Sequence, residues 1–279
     1  MQYAIVSGQK QEPLPQMKGV CEICGAETIA KCGEKVRWHW AHRTKQSCDP
    51  WWENETQWHR DWKAHFPESY REVSFRCEKT DEKHRADVVT DKKLVLEIQN
   101  SPISLAELRS REEFYKNLVW VVNGGKFKER FEILPACLPD PNASEFDDIV
   151  FFGSGARAGE TFWRKSENPE ALENSSSLVL VHSARKIKQT IQKHYIGHHP
   201  FQWTRPHIAW FDATCPVFID FGDELLWRLE RYRDQFCCVR AISKNKFIHD
   251  VMTETNATDI AAKFYSIKNR QSSMAQGRS

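Results

Sequence analysis

The alternation of apolar and polar residues predicts a β-hairpin in the first half of the chain. Residues 85–100 read RADVVTDKKLVLEIQN, two apolar runs separated by polar turn residues. If residues 91–93 form the loop, Asp87 lies opposite Glu97, with Cβ atoms about 5 Å apart. Two carboxylates this close repel each other unless a cation lies between them. The pattern therefore predicts a site for a hard divalent ion such as Mg²⁺; the alternative is a solvated polar strand face.

A helix is predicted before the hairpin, in the run WWENETQWHRDWKAHF. Asp49 is the expected N-cap, because a proline follows it at the first helical position, and the helix should end before Pro67. On that helix Glu55 falls in the middle of the apolar stripe, His59 at its edge and Lys63 one step further. Glu55, Asp87 and Glu97 would together form a cluster of three carboxylates; the alternative is a Glu stabilised by the helix dipole.

A strand (Glu72 to Cys77), a second helix and a buried strand (Leu118 to Val122) complete this region. The second helix should begin after Ser104, with a capping-box glutamate three residues on. Arg111 and Tyr115 are four residues apart on it, a spacing that suits phosphate contact or the holding of a catalytic carboxylate. The alternative is a surface arginine packed on a tyrosine. The order helix, three strands, helix, strand predicts an α/β unit with a mixed sheet.

The second half of the chain is predicted to hold a connector and a small α+β domain. Residues 136–176 are rich in turn residues, with short strands at 149–152 and 161–164. SLVLVHS, PVFIDF and FCCVRAIS are predicted strands, DELLWRLERY an amphipathic helix, and the tail after Lys268 disordered. The predicted domains are thus 1–49, 50–135, 136–176 and 177–279.

Composition narrows the class of protein only slightly. The 279 residues carry a formal net charge of +2, so any nucleic-acid-binding surface must come from local clustering. No apolar run is long enough for a transmembrane helix, and no signal peptide is recognisable, which predicts a cytoplasmic protein with no membrane partner. Its nine cysteines should then stay reduced.

Cysteine and histidine spacing near the N-terminus predicts a zinc site. Cys21 and Cys24 form a C-x₂-C pair, followed by His39, His42 and Cys48. Four of these five residues can close a tetrahedral, structural zinc site, and which four is left open. The alternative is two buried thiols at a glycine turn.

Basic residues alternate with tryptophans in the same region. Arg37 and Arg43 flank Trp38 and Trp40, a combination suited to phosphate contact and base stacking. The alternative is a solvated basic loop whose tryptophans pack inward.

Taken together, these motifs resemble a known family. An Asp ending one strand, then E-x-Q in the next, with a Glu-bearing helix before and a helix and strand after, is similar to the PD-(D/E)xK nuclease superfamily. HWAH, CDPWWENETQWHRDWK, RADVV, LEIQNSPIS and SREEFYKNLVWVV resemble the CoiA-like competence proteins over about residues 18–125. The resemblance implies a restriction-endonuclease-like α/β core, a mixed sheet flanked by helices, with a small N-terminal zinc module and a C-terminal α+β accessory domain.

The same resemblance implies the site residues. Asp87 and Glu97 would bind Mg²⁺ or Mn²⁺, and Glu55 would assist the metal or the water. Gln99 departs from the family pattern, because the superfamily usually has a lysine there, whose charge glutamine does not supply. Lys63, Lys116 or His59 could bring a positive group from another element.

The implied activity is metal-dependent cleavage of DNA phosphodiester bonds, in DNA uptake or recombination or in defence against foreign DNA. The partner is single- or double-stranded DNA, with RNA left open. The expected nucleic-acid contacts are Arg85, Arg111, Tyr115, Arg37 and Arg43. The alternative function is that of a nuclease fold which binds nucleic acid, or acts as a scaffold, without cleaving. Oligomeric state is not predicted.

Overall fold

A computed structural model describes residues 1–35, 37–44, 48–51, 55–77, 81–173 and 177–262. The chain divides into two compact units: Met1–Asn123 with Ile248–Ala257, and Gly124–Phe247 with the chain from Thr258. Each unit combines strands with a few helices, so the predicted mixed α/β class is confirmed. The predicted disordered tail lies outside the described residues.

The first unit begins with a five-stranded antiparallel sheet in the order β2-β1-β3-β4-β5. Its strands are β1 (Ala4–Val6), β2 (Gln9–Gln11), β3 (Lys18–Val20), β4 (Glu27–Lys31) and β5 (His39–His42). Met1, Ala4, Cys21 and Trp40 form its small buried core. So little apolar area suggests that this sheet needs support from a metal or from its neighbours.

The rest of the first unit contains the predicted order of elements. These are α1 (Gln57–Ala64), β6 (Arg71–Arg76), β7 (Lys83–Val89), β8 (Val95–Gln99), α2 (Leu105–Tyr115) and β9 (Leu118–Asn123). Strands β6, β7 and β8 pair antiparallel, and β8 pairs with β9 in parallel, which makes the predicted mixed sheet. Val88 pairs with Leu96 and Val89 with Val95, the register predicted for a loop at 91–93.

The predicted start of the first helix is wrong. Helix α1 begins at Gln57, and its N-cap is Thr56, whose hydroxyl accepts a hydrogen bond from the backbone N–H of His59. The His59 ring in turn accepts from the backbone N–H of Thr56, so the capping box is reciprocal. Asp49 instead accepts from the Trp51 N–H in a local turn. Glu55 therefore precedes the helix and is not part of its apolar stripe.

The predicted N-cap of the second helix is confirmed, but the capping box is not, because the Glu107 carboxylate pairs with Arg111. Ser104 is the N-cap of α2, and its hydroxyl accepts from the backbone N–H of Glu107 at 3.1 Å. Leu108 and Arg111 lie on the buried face of α2. The Arg111 side chain therefore points into the unit and is not a surface arginine.

The second unit is mainly antiparallel β-structure. Its strands are β10 (Phe131–Ile133), β11 (Leu138–Pro139), β12 (Ile149–Phe151), β13 (Thr161–Arg164), β14 (His182–Ser183), β15 (Tyr195–His199), β16 (Phe201–Trp203), β17 (Val217–Asp220), β18 (Leu225–Tyr232) and β19 (Phe236–Ser243). They form the strand orders β11-β15-β19-β18-β17, β12-β13-β14 and β10-β16. The remaining α-helices of the described residues are α3 (Glu170–Glu173), α4 (Lys188–Lys193), α5 (Lys244–Thr253) and α6 (Ala257–Ala262).

Two predictions for this half are wrong. DELLWRLERY is not a helix but contains strand β18, which pairs with β19 along its full length. Arg233 and Asp234, both with positive φ, form the tight turn between them, and this turn type favours a hairpin although neither residue is glycine. Of SLVLVHS only the last two residues form a strand, β14. The predicted strands at 149–152, 161–164, PVFIDF and FCCVRAIS are confirmed as β12, β13, β17 and β19.

Candidate functional site

A cavity of about 350 Å³ lies within the first unit. Its walls come from β5, the segment after Cys48, α1, β6, β7, β8 and α2. The predicted site residues that line it are Glu55, His59, Lys63, Arg85, Asp87, Glu97, Gln99 and Arg111 on one side and His39, His42 and Cys48 on the other. The cavity is thus lined by the predicted acidic residues and by part of the predicted zinc site, His42 and Cys48.

Asp87 and Glu97 sit on neighbouring strands in the register described above. Asp87 Oδ2 accepts a hydrogen bond from the backbone N–H of Ile98 at 2.9 Å. Glu97 Oε2 accepts from the Arg111 guanidinium at 2.9 Å, and both side chains are buried. Glu97 Oε1 is buried without a hydrogen-bond partner among the described residues. A buried carboxylate oxygen without a donor is costly, and a bound cation would resolve it.

The surroundings of Asp87 and Glu97 raise the pKa of both carboxyl groups. Burial, and next the charge of Asp87, raise the pKa of Glu97 to about 8, against the opposing effect of Arg111. Burial also raises the pKa of Asp87, although Lys63, His59 and the Ile98 N–H act in the other direction. Both carboxyl groups therefore hold their protons to a higher pH than exposed carboxyl groups do.

Lys63 brings a positive charge into the same cavity. Its side chain is almost fully buried, and its Nζ donates to Glu72 Oε1 at 2.8 Å and to Glu55 Oε1. Burial opposes the charge of the ammonium group, but attraction by Glu72, Glu55 and Asp87 outweighs it and raises the pKa of Lys63. Lys63 is thus a permanent cation beside Asp87.

Glu72 is a site residue that the sequence analysis did not identify. It adopts a positive φ of 49°, and its carboxylate accepts from the backbone N–H groups of Gln2 at 3.0 Å and Tyr3 at 3.3 Å. Although burial opposes its ionisation, Lys63 and Arg85 hold the pKa of Glu72 well below its usual range. The sequence did show an acidic residue at the start of a predicted strand. The pairing of β6 with β7 places this residue opposite Asp87.

Glu55, His59 and Gln99 have defined but different surroundings. Glu55 Oε2 accepts from Arg60 Nε at 2.9 Å and its other oxygen from Lys63, so both oxygens already face cations. His59 Nδ1 accepts from a backbone N–H, which leaves the hydrogen of the neutral ring on Nε2. Gln99 is buried and donates to the Ser101 carbonyl at 3.1 Å.

Four of the five predicted zinc ligands come together. The ligand atoms of Cys21, Cys24, His42 and Cys48 all lie within 4.8 Å of one another. Cys24 Sγ is 3.3 Å and Cys48 Sγ 3.5 Å from His42 Nε2. Three sulfurs and one imidazole form a donor set that fits zinc, so this cluster could hold a metal such as zinc.

His39 is not part of this group. It lies three residues from His42 on β5, and alternation along a strand turns their side chains to opposite faces. Its Nδ1 contacts the Arg37 carbonyl at 2.7 Å. Gly25, with a φ of 70°, closes the turn that brings Cys21 and Cys24 to the same point.

The predicted nucleic-acid contacts fall into two groups. Arg85, Arg111 and Tyr115 are directed into the unit, where the arginines hold other side chains. Arg37 and Arg43 are exposed, as is Trp38, whereas Trp40 is 1% exposed and packs inward. Only the second group presents basic and aromatic groups to solvent.

A second cluster of His198, Glu230 and Cys238 lies in the second unit. Glu230 accepts from Arg228 at 2.7 Å and from Arg240 at 2.9 Å, and its other oxygen contacts His198 at 2.8 Å. Burial raises the pKa of the Cys238 thiol, which keeps it protonated. Two guanidinium groups beside a single carboxylate disfavour a divalent cation, so this cluster is an ion-pair network.

Comparison with known proteins finds a family match for the N-terminal part of the chain. Residues 6–50 match the family model described as competence protein CoiA, N-terminal domain, and this range contains all four residues of the cysteine–histidine cluster. The resemblance expected from the sequence is thus confirmed for this segment. No curated protein and no solved structure matches the chain. Within the described part of the chain, no helix has both the length and the apolar character to cross a membrane.

Proposed function

We propose that this chain, whose residues 6–50 match the N-terminal domain of competence protein CoiA, is a metal-dependent nuclease with a PD-(D/E)xK core. The observation that carries the proposal is the pair of half-buried Asp87 and buried Glu97, in which Glu97 Oε1 lacks a donor among the described residues. Oxygen ligands from two carboxylates suit Mg²⁺ or Mn²⁺. The substrate would be DNA, encountered during uptake, recombination or defence, with RNA as a second substrate to test.

The residues around the pair have distinct roles in this proposal. A divalent ion held by Asp87 and Glu97 would polarise the phosphodiester and help a water to lose its proton. Arg111 fixes Glu97 through a charged hydrogen bond and is itself held by the Trp51 carbonyl at 2.9 Å. The His59 ring, fixed by its capping box, offers a hydrogen-bond donor at Nε2 to a phosphate oxygen in the cavity.

Members of the superfamily usually have a lysine at the position of Gln99. In this chain, Lys63 supplies the positive charge of that lysine. Its ammonium group is buried and charged, and Asp87 attracts it. It would therefore stabilise the negative charge that develops on a phosphate held by a metal ion at Asp87. Helix α1 rather than strand β8 supplies the charge. Gln99 then serves to hold the chain after β8 through the Ser101 carbonyl.

The cysteine–histidine cluster is proposed to bind zinc for structural reasons. The five-stranded sheet has a small apolar core, and zinc binding would supply the folding free energy that the core lacks.

The direct test is cleavage of labelled single-stranded DNA, double-stranded DNA and RNA by the full chain. We expect cleavage of DNA with Mg²⁺ or Mn²⁺ and none in the presence of EDTA. If no metal supports cleavage while DNA binding is retained, the second candidate holds: a nuclease fold that binds nucleic acid without cutting it. The doubly paired state of Glu55 and the amide of Gln99 are the observations that favour this candidate.

Replacing Lys63 by Met should lower the single-turnover rate of cleavage by about 10²-fold, because the cation that stabilises the developing anion is removed. Mn²⁺ affinity should not fall, since a nearby positive charge is lost. Lys63→Arg keeps the charge and should retain more activity. Lys18→Met, at an exposed position of β3, is the matched control. Equal rates for Lys63→Met and Lys18→Met would show that Lys63 plays no part.

Mn²⁺ affinity should depend steeply on pH. With its pKa raised to about 8, Glu97 holds a proton below that pH, and Mn²⁺ must displace it. We therefore expect the affinity to rise about tenfold per pH unit between pH 6 and 8 and then to level off. Without metal, the same shift stabilises the fold at low pH and is lost as pH rises through 8. Titration of Mn²⁺ by electron paramagnetic resonance should show a much shallower slope for Glu97→Gln; an identical slope would assign the proton to another group.

A further inference from the structure

Arg85 lies between the cysteine–histidine cluster and the acidic cavity. It is on β7, two residues before Asp87, so both side chains point to the same face of the sheet. Its side chain is 12% exposed. An arginine this deeply buried must be held by fixed partners, because burying an unpaired guanidinium is strongly unfavourable.

The two ends of the guanidinium have partners in different clusters. One terminal nitrogen donates to Cys21 Sγ at 3.7 Å, and the other lies 3.7 Å from Glu72 Oε2. Glu72 in turn accepts from Lys63, the buried cation of the cavity. The contacts therefore run in an unbroken series from a sulfur of the proposed zinc site to the cation beside Asp87.

The backbone around Arg85 is joined to the same two segments. The Arg85 N–H donates to Asp49 Oδ2 at 3.0 Å, directly after Cys48. Ser74, which pairs with Arg85 across β6 and β7, donates through its hydroxyl to Glu22 at 2.8 Å, directly after Cys21. Asp49 and Glu22, which directly follow the proposed zinc ligands Cys48 and Cys21, thus hydrogen-bond to β7 and β6 at the position of Arg85.

We propose that Arg85 is a positioning residue that couples the cysteine–histidine metal site to the acidic cavity. It donates to the sulfur of Cys21 and, through its other end, orients Glu72 and with it Lys63. Bound zinc would hold Cys21 as a thiolate, a stronger acceptor for the guanidinium, so metal occupancy of the cluster would fix Arg85. The inference rests on the proposed zinc site and not on catalysis in the cavity.

The test measures zinc affinity of the full chain by competition with a chromogenic chelator. Arg85→Gln should lower the affinity by about tenfold, in the range typical for loss of an outer-sphere partner. Arg85→Lys keeps the charge but cannot donate at both ends, so its affinity should lie in between. Arg43→Gln is the control. Arg43 directly follows the proposed ligand His42, but its side chain is 66% exposed and forms a surface ion pair with Glu27.

Two further measurements separate coupling from a general loss of stability. In protein loaded with Co²⁺, loss of a hydrogen bond to Cys21 Sγ should shift the sulfur-to-cobalt absorption band in Arg85→Gln and not in Arg43→Gln. Glu72→Gln, which does not touch the metal site, should lower zinc affinity about threefold in the wild-type background and have no effect in Arg85→Gln.

Unchanged zinc affinity and an unchanged cobalt band in both Arg85 variants would overturn the proposal. So would equal effects of Glu72→Gln in the two backgrounds, because Glu72 would then act independently of Arg85. All of these measurements are made without DNA. A chain that cleaves nothing would refute the nuclease proposal without affecting the coupling proposed for Arg85. Zinc affinity that does not depend on Arg85 would refute the coupling without affecting the nuclease proposal.

Discussion

Asp87→Asn and Glu97→Gln are each expected to lower metal-dependent DNA cleavage by about 10³-fold or more. Both changes keep the size of the side chain but remove a charged oxygen ligand from the cavity. Mn²⁺ affinity should fall in parallel, because a hard cation binds a neutral amide more weakly than a carboxylate. Single-turnover cleavage and Mn²⁺ titration of the same preparations measure both effects.

Asp91→Asn is the matched control for this experiment. Asp91 is an exposed carboxylate in the turn between β7 and β8, close in sequence to both site residues, and it does not line the cavity. Its variant should cleave at the wild-type rate. Wild-type cleavage by both Asp87→Asn and Glu97→Gln would place the reaction elsewhere in the molecule. Loss of cleavage with full Mn²⁺ binding would instead assign these residues to substrate contact.

The removal of charge is also expected to stabilise the metal-free fold. Above pH 8, where Glu97 has lost its proton, Asp87 and Glu97 repel each other across the hairpin, and burial raises the pKa of each. A neutral amide at either position relieves that repulsion, although Glu97→Gln weakens the contact with Arg111. Higher thermal stability combined with lost cleavage would identify the pair as a site where function opposes stability.

The facing of Asp87 and Glu97 could be predicted because it depends on residues close in sequence. Strand alternation and the length of one loop determine which side chains meet, and the structure has the same register. The N-cap of α2 was predictable for the same reason. The start of α1 was not, because Asp49 and Thr56 are both good caps. Asp49 is instead held by the Arg85 N–H, a contact 36 residues away.

Contacts between distant segments decide the features that the sequence analysis missed. Glu72 matters because the first residues of the chain donate to its carboxylate, and Arg85 because Cys21 lies beside it. No local pattern indicates either contact. For β18, leucines, arginines and glutamate favour a helix locally, but pairing with β19 determines the outcome.

The contacts of Arg85, Asp49 and Glu22 change the interpretation of the first fifty residues. A separate zinc module would need only its own four ligands. Here the residues next to Cys21 and Cys48 hold β6 and β7, and His42 and Cys48 line the same cavity as Asp87. Loss of zinc should therefore disturb the acidic site as well as the small sheet.

His42→Asn is expected to remove most of the bound zinc, while His39→Asn should retain one zinc per chain. The two histidines lie three residues apart on β5, but only His42 reaches the three sulfurs. Loss of a direct ligand should exceed the roughly 100-fold effect of an outer-sphere change, equivalent to about 3 kcal/mol. That loss should lower the melting temperature by about 6–12 °C, measured together with the zinc content.

Cys24→Ser and Cys32→Ser form a second matched pair for the same site. Cys24 is exposed and contacts His42, whereas Cys32 lies outside the group of four ligands. Cys24→Ser should behave like His42→Asn, and Cys32→Ser like the wild type. Because the cluster and the acidic cavity are joined at Arg85, the variants that lose zinc should also bind Mn²⁺ more weakly. Zinc loss from His39→Asn, with none from His42→Asn, would contradict the ligand set.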